Sequence, residues 1–169
     1  MGAQHGCLHV VDAALVERSR AVREAFTQTG RTLCCAESCT GGLLAGAITE
    51  AAGSSEYFKG GIVSYWAEVK AGVLGVPQQV IDEHGVVSCE CAEAMAAGAA
   101  RMLGCGYALS TTGIAGPDGA EPGRPVGTVW VGLHTPQGTS ATCIQAHGNR
   151  QQVRREAVLT ALDLLLAAL

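Results

Sequence analysis

Segments of helical period alternate with apolar runs of strand length along this chain, and near its end two strand-like runs follow each other with only Pro-Gln-Gly between them. Alternation of that kind predicts a layered α/β/α domain with a mixed sheet, and the late pair predicts an antiparallel hairpin. Residues 10–29 set Val11, Leu15, Val22 and Phe26 at helical spacing, so an amphipathic helix opens the chain and Gly30 ends it. Residues 31–36 read as a short buried strand, and 41–52 as a helix rich in small residues that closes near Gly53. A strand over 60–66, a short helix over 67–75 and a helical turn opened by Pro77 follow. Ser88 is placed to cap a helix reaching about 103, with Glu90 and Glu93 in its early turns. YALSTTGIAG then runs from strand into a glycine turn, and the loop PDGAEPGRP at 117–125 leads into the hairpin runs VGTVWVGLHT and TSATCIQAH. A helix over 149–168 carries Arg150, Arg154 and Arg155 in its first turns. With 169 residues and no linker or repeat, one domain spanning 1–169, with a core over about 10–168, is expected.

Charge and cysteine usage narrow the function classes. A formal net charge of -4 supplies no general attraction to nucleic acid or to an anionic membrane, so neither is expected as a partner. The start of the chain lacks a basic segment followed by an apolar run, and no apolar stretch reaches membrane-spanning length; a cytoplasmic protein is expected. Eight cysteines, at 7, 34, 35, 39, 89, 91, 105 and 143, then read as reduced thiols. Cys34-Cys35 and Cys89-Glu90-Cys91 lack the paired C-x-x-C spacing of a structural zinc site, so no metal and no cofactor is expected.

In α/β sheets ligands collect beyond the carboxyl ends of strands, where loops and helix N-termini supply polar groups. Three stretches qualify: ESCTGG at 37–42, SYWAEVK at 64–70 and TTGIAGPDG at 111–119. The first crowds Glu37, Ser38, Cys39 and Thr40 against Gly41 and Gly42. A helix beginning near Thr40 would aim unpaired amides into the corner, ready for an oxyanion or a phosphate. On their own the same residues read more simply as a helix cap. Neither G-x-S-x-G nor S-x-x-K nor a phosphate-loop motif is present. None of the five histidines, His5, His9, His84, His134 and His147, falls in these stretches, which leaves lysine as the base for a hydroxyl nucleophile. Of the two lysines, Lys59 and Lys70, the second lies in a candidate stretch, and burial beside apolar groups would free its amine to take a proton. Cys39 is the rival nucleophile, since a helix N-terminus can acidify a thiol. These residues alone leave that choice open.

AESCTGGLLAGAIT, GSSEYFKGGIVSY, LGVPQQVIDEHGVVS, TTGIAGPDG, PVGTVWVGL and GNRQQVR, taken together and in order over about residues 10–168, resemble the CinA C-terminal domain family. The resemblance implies a nicotinamide-nucleotide amidase, which converts nicotinamide mononucleotide to nicotinic acid mononucleotide and ammonia in pyridine-nucleotide recycling. It maps the catalytic serine onto Ser38 and the catalytic lysine onto Lys70. It also suggests oxyanion or positioning roles for Glu37, Thr40, Gly41, Gly42, Tyr65, Thr112 and Gly113, and phosphate contacts from Arg150 and Arg154. A homodimer is implied as well. Family members commonly read Y-S-N-E-A-K where this chain has Tyr65-Trp66-Ala67-Glu68-Val69-Lys70, so any substrate contact made by that asparagine is lost at Ala67. The alternative is a catalytically silent nucleotide-binding or regulatory module of the same fold.

Overall fold

The computed structural model describes residues 12–169; Cys7, His5, His9 and the apolar positions Val10 and Val11 lie outside the described residues. Five strands form one mixed sheet in the order β2-β1-β3-β4-β5. Three are parallel: β1 (Leu33–Glu37) lies between β2 (Phe58–Val63) and β3 (Tyr107–Gly113). β4 (Thr128–Thr135) and β5 (Gly138–Gln145) continue the sheet antiparallel, as the two consecutive strand-like runs require.

Among the described residues six α-helices accompany the sheet, four of them covering its two faces. On one side pack α1 (Ala13–Thr29), α2 (Leu43–Thr49) and α6 (Arg150–Ala167); on the other packs α5 (Cys89–Leu103). Two short helices, α3 (Ala67–Gly72) and α4 (Gln78–His84), lie in the crossover from β2 to α5. The period of two along β1 divides its side chains between two cores. Leu33 and Cys35 join Phe26, Leu44, Ile48 and Leu162, while Cys34 and Ala36 join Met95, Cys91, Ala99 and Leu74. The adjacent cysteines therefore point to opposite sides of the sheet, where each serves as a small buried apolar residue.

Helix ends follow the capping chemistry. Asp12 accepts from the amides of Ala14 and Leu15, Ser88 from that of Cys91, and Asn149 and Gln152 complete a capping box on α6. Among the expected boundaries that move, two bear on the site. The helix expected over 41–52 contracts to Leu43–Thr49, because Gly41 and Gly42 take φ of 55° and 101° and form a turn outside it. The strand expected over 60–66 occupies Phe58–Val63, and Ser64 to Trp66 become a connector into α3.

This topology decides where chemistry can gather. The connection leaving β1 carries α2 to one face, and the one entering β3 brings α5 from the other, so the strand order reverses around β1. In the parallel registers Glu37 stands level with both Val63 and Thr111. Ser38, Ser64 and Thr112 therefore emerge together at the carboxyl edge, the usual crevice of an open α/β sheet.

Candidate active site

Glu37 organises the corner from beneath. It is fully buried at the end of β1 and turns its carboxylate toward the start of α2. Oε2 accepts from Thr40 Oγ1 at 2.6 Å, Gly42 N at 2.9 Å and Leu44 N at 3.0 Å, while Oε1 accepts from Ala45 N at 2.9 Å. Thr40 gives its proton to Glu37, so Thr111 Oγ1, 2.7 Å away, donates to Thr40. The carboxylate is thus the cap of α2, where backbone donors and helix dipole both favour negative charge.

That arrangement corrects the expectation for the glycine amides. Gly42 N is committed to Glu37 and Gly41 N donates to Ser38 O at 3.2 Å, so neither is available to an oxyanion. The amides of Cys39 and Thr40, in the middle of the same turn, donate to no backbone carbonyl among the described residues. Gly41 and Gly42 shape the turn through their positive φ.

Lys70 enters from α3 and meets Ser38 at the end of its side chain. Its Nζ lies 3.0 Å from Ser38 Oγ, 2.7 Å from Ser64 O and 3.5 Å from Tyr65 O. The side chain is only 1% exposed, and among the described residues no carboxylate comes within ion-pair distance of it. Burial holds the amine below the usual lysine range, with Cys91 and Cys39 pulling weakly the other way. A neutral amine has two protons and one lone pair. In the structure Nζ donates to Ser38 Oγ, Ser64 O and, more weakly, Tyr65 O; in the neutral form the two carbonyls take its protons and the lone pair is left for the Ser38 hydroxyl.

The thiol beside Ser38 behaves differently. Cys39 is 5% exposed, belongs to the α1-α2-α6 core, and burial pushes its thiol up to about 12. A proton held that tightly leaves almost no thiolate at neutral pH.

A cavity of about 200 Å³ opens over the pair. Ser38, Cys39, Lys70, Thr112, Gly113 and Tyr65 line it together with Val86, Val87, Ala115 and Arg150. Thr112 Oγ1 donates to Val86 O at 2.6 Å, so its lone pairs remain to accept from a ligand. Gly113 has no room for a side chain: a Cβ there would come 2.6 Å from Thr128 O. At the mouth, Arg150 Nη2 donates to Tyr65 Oη at 3.0 Å and Nη1 to Gly116 O at 2.8 Å, which fixes an otherwise exposed tyrosine.

Arg154 and the two positions of the family departure stand elsewhere. Arg154 does not line the cavity; its Nη2 donates to Thr40 O at 2.6 Å and supports the turn from the α6 side. Trp66 and Ala67, where the chain departs from the family pattern, also lie outside the lining, and Trp66 is 69% exposed. Conversely, Val86 and Val87 lie outside the three candidate stretches, and Ser64 and Ala115 lie within them without an expected role of their own. Ser64 contributes a backbone carbonyl and the others only apolar surface, so no side-chain chemistry marks them. Among the described residues, no helix is long and apolar enough to cross a membrane.

Comparison with known proteins yields one consistent relationship. The CinA C-terminal domain family matches residues 16–169. A CinA-like protein of Geobacter metallireducens is 48% identical over 144 residues, covering 85% of this chain and 35% of the relative. A CinA-like protein of Mycolicibacterium gilvum is 47% identical over 159 residues, covering 94% of this chain and 37% of the relative. The chain thus spans about a third of the length of the curated relatives it matches. Among solved structures, a competence-damaged protein (CinA) superfamily protein of Escherichia coli superposes with a TM-score of 0.89 at 31% identity, over 96% of this chain and 95% of that one. The competence/damage inducible protein CihA of Agrobacterium tumefaciens gives a TM-score of 0.87 at 38% identity, over 91% and 94%.

Proposed function

The chain belongs to the CinA C-terminal domain family, and from that premise we propose that it is an amidohydrolase that deamidates nicotinamide mononucleotide with Ser38 as nucleophile and Lys70 as general base. The substrate comes from the motif resemblance. The observation that carries the chemistry is the 3.0 Å approach of a buried, carboxylate-free Lys70 Nζ to Ser38 Oγ.

In the first half-reaction Ser38 Oγ bonds to the carboxamide carbon as its proton passes to Lys70 Nζ. The oxygen of the tetrahedral intermediate takes the negative charge, and the unspent amides of Cys39 and Thr40 are its donors. Lys70 returns the proton to the departing nitrogen, the C–N bond breaks, and ammonia leaves an ester on Ser38. Water then adds to the ester as Lys70 accepts its proton. Breakage of the C–O bond releases the acid, and Ser38 recovers its proton. Thr112 Oγ1 accepts an N–H of the amide and holds the plane of the group for attack.

The cavity's size and its one arginine fit the rest of the substrate. About 200 Å³ is less than the roughly 300–1,000 Å³ typical of sites that enclose a whole ligand. It suits the carboxamide and its ring, with ribose and phosphate passing outward between Tyr65 and Arg150. Arg150 is the phosphate partner, by exchanging one of its present acceptors for phosphate oxygen.

Ammonia release from nicotinamide mononucleotide by purified protein tests the reading. Ser38→Ala and Lys70→Ala are each expected to lose at least about a thousandfold in kcat. Full activity in either variant refutes the dyad. Calorimetric binding of the nucleotide by wild type without ammonia release would favour a silent binding module instead.

A further inference from the structure

Val87 stands between two cavities. It lines the Ser38–Lys70 cavity on one side and, on the other, an outer cleft of about 360 Å³ that also contains His84, Arg124 and Trp130. The partition is the short connector from α4 to α5, and Val86 and Val87 supply its apolar surface.

Three side chains hold the backbone of this connector. Thr112 Oγ1 reaches Val86 O at 2.6 Å from the cavity side. Ser88 Oγ donates to Gly85 O at 2.9 Å while capping α5. From the outer side, Arg124 Nη2 donates to His84 O at 2.6 Å, and Nη1 pairs with Glu121 at 3.1 Å. The guanidinium lies directly on Gly85, whose φ is 77°; a Cβ there would come 2.9 Å from Nη1. Arg124 is itself held by a tight turn, since Glu121 and Arg124 exchange backbone hydrogen bonds of 2.9 Å in both directions. The same loop gives its Gly116 carbonyl to Arg150 at the cavity mouth.

We propose that Arg124 is a positioning residue that pins the 84–87 wall against the reactive cavity and so limits the bulk of the acyl group admitted. This rests on the reading of Ser38 and Lys70 as the reacting pair. Removing the tether leaves the inner Thr112 bond in place and takes away the outer support, so the cavity can widen toward the cleft behind Val87. Arg124 touches no reacting atom, and its effect falls on the choice between acyl groups. A single methylene in an apolar pocket is worth about 10–200-fold in discrimination, so a wall that yields by that much shifts selectivity by at least about tenfold.

The test compares p-nitrophenyl acetate with p-nitrophenyl benzoate on wild type, Arg124→Ala and Arg124→Lys, with the Ser38→Ala rate subtracted. Hydrogen exchange over residues 84–88 is followed in the same proteins. Arg124→Ala is expected to speed that exchange and to raise the benzoate-to-acetate ratio of kcat/KM about tenfold. Arg124→Lys, which keeps a cation and a donor, is expected to recover most of the wild-type ratio. An unchanged ratio with both esters slowed alike overturns the proposal, because a merely structural defect behaves in that way. Unchanged exchange over 84–88 in Arg124→Ala overturns it as well. Absence of Ser38-dependent turnover in wild type refutes the dyad, and the exchange measurement then decides the tether alone.

Discussion

Glu37→Gln is close to isosteric, yet it should strike the corner harder than most surface changes to the whole protein. The carboxylate receives four N–H and O–H donors, three at Oε2 and one at Oε1, with the weak Cys35 thiol donor 3.8 Å from Oε1, in a position fully closed to water. Glutamine keeps one oxygen. Its better orientation leaves that oxygen with Thr40, Gly42 and Leu44, and turns the NH2 group against the amide of Ala45. One buried donor then lacks an acceptor, at a cost of about 1–3 kcal/mol. The three surviving bonds lose charge assistance and fall to roughly half their strength. Allowing for the smaller desolvation cost of a neutral amide, the net loss is about 3–5 kcal/mol, a large part of the roughly 5–15 kcal/mol that stabilises an ordinary domain. For a chain of this size each kcal/mol lowers Tm by about 2–4 °C, so the melting temperature should fall by roughly 6–20 °C. Thermal unfolding followed by circular dichroism reads this directly. A drop of less than about 3 °C would show that the first turn of α2 does not depend on the carboxylate, and would refute the donor count.

Three further outcomes follow from the same geometry. Cys39→Ala should keep its Ser38-dependent turnover, and iodoacetamide at neutral pH should label exposed Cys143 ahead of buried Cys39, with peptide mass spectrometry as the readout; labelling of Cys39 first would return the thiol to contention. Because the folded pKa of Lys70 is depressed, the unfolded chain binds more protons as pH rises from that value toward 10.5, and stability gains with pH over that window. The urea midpoint of wild type relative to Lys70→Met should therefore rise with pH, and turnover should climb with the neutral amine; a flat or falling difference contradicts a desolvated Lys70. Arg150→Met should raise KM for the nucleotide about tenfold or more, as expected when a charge-assisted contact is lost, and initial-rate kinetics would expose an unchanged KM.

The fold was readable wherever local chemistry and periodicity agreed. Ser88 and Gly30 marked helix ends because a capping hydroxyl and a left-handed glycine act within a few residues of themselves. The hairpin was readable because only a short turn separates its two strands. The start of α2 was less so, since its cap is a carboxylate at the end of the preceding strand, five to eight positions before the amides it receives. Read along the chain, Glu37 is one polar residue among several; only the burial of β1 on both sides forces its side chain inward to those donors. Arg154 shows the converse: on a helix face it reads as a free cation for phosphate, but packing of α6 against the turn directs it to Thr40 O.

The choice between the hydroxyl and the thiol depends on the same inward and outward division. Successive residues after a buried strand end point to different surroundings, and here Ser38 meets Lys70 while Cys39 packs into the apolar core. Sulfur is intrinsically the better nucleophile, but burial penalises its anion, and the amine that could take its proton already faces oxygen. On the proposed mechanism the Ser38 hydroxyl never has to exist as a free anion: Lys70 takes its proton as the carbon–oxygen bond forms, and the charge passes to the amide oxygen. A corner that gives most of its donors to Glu37 leaves two amides that the proposed mechanism assigns to that oxygen, those of Cys39 and Thr40. Cys39 can therefore serve the reaction through its backbone while its thiol remains structural.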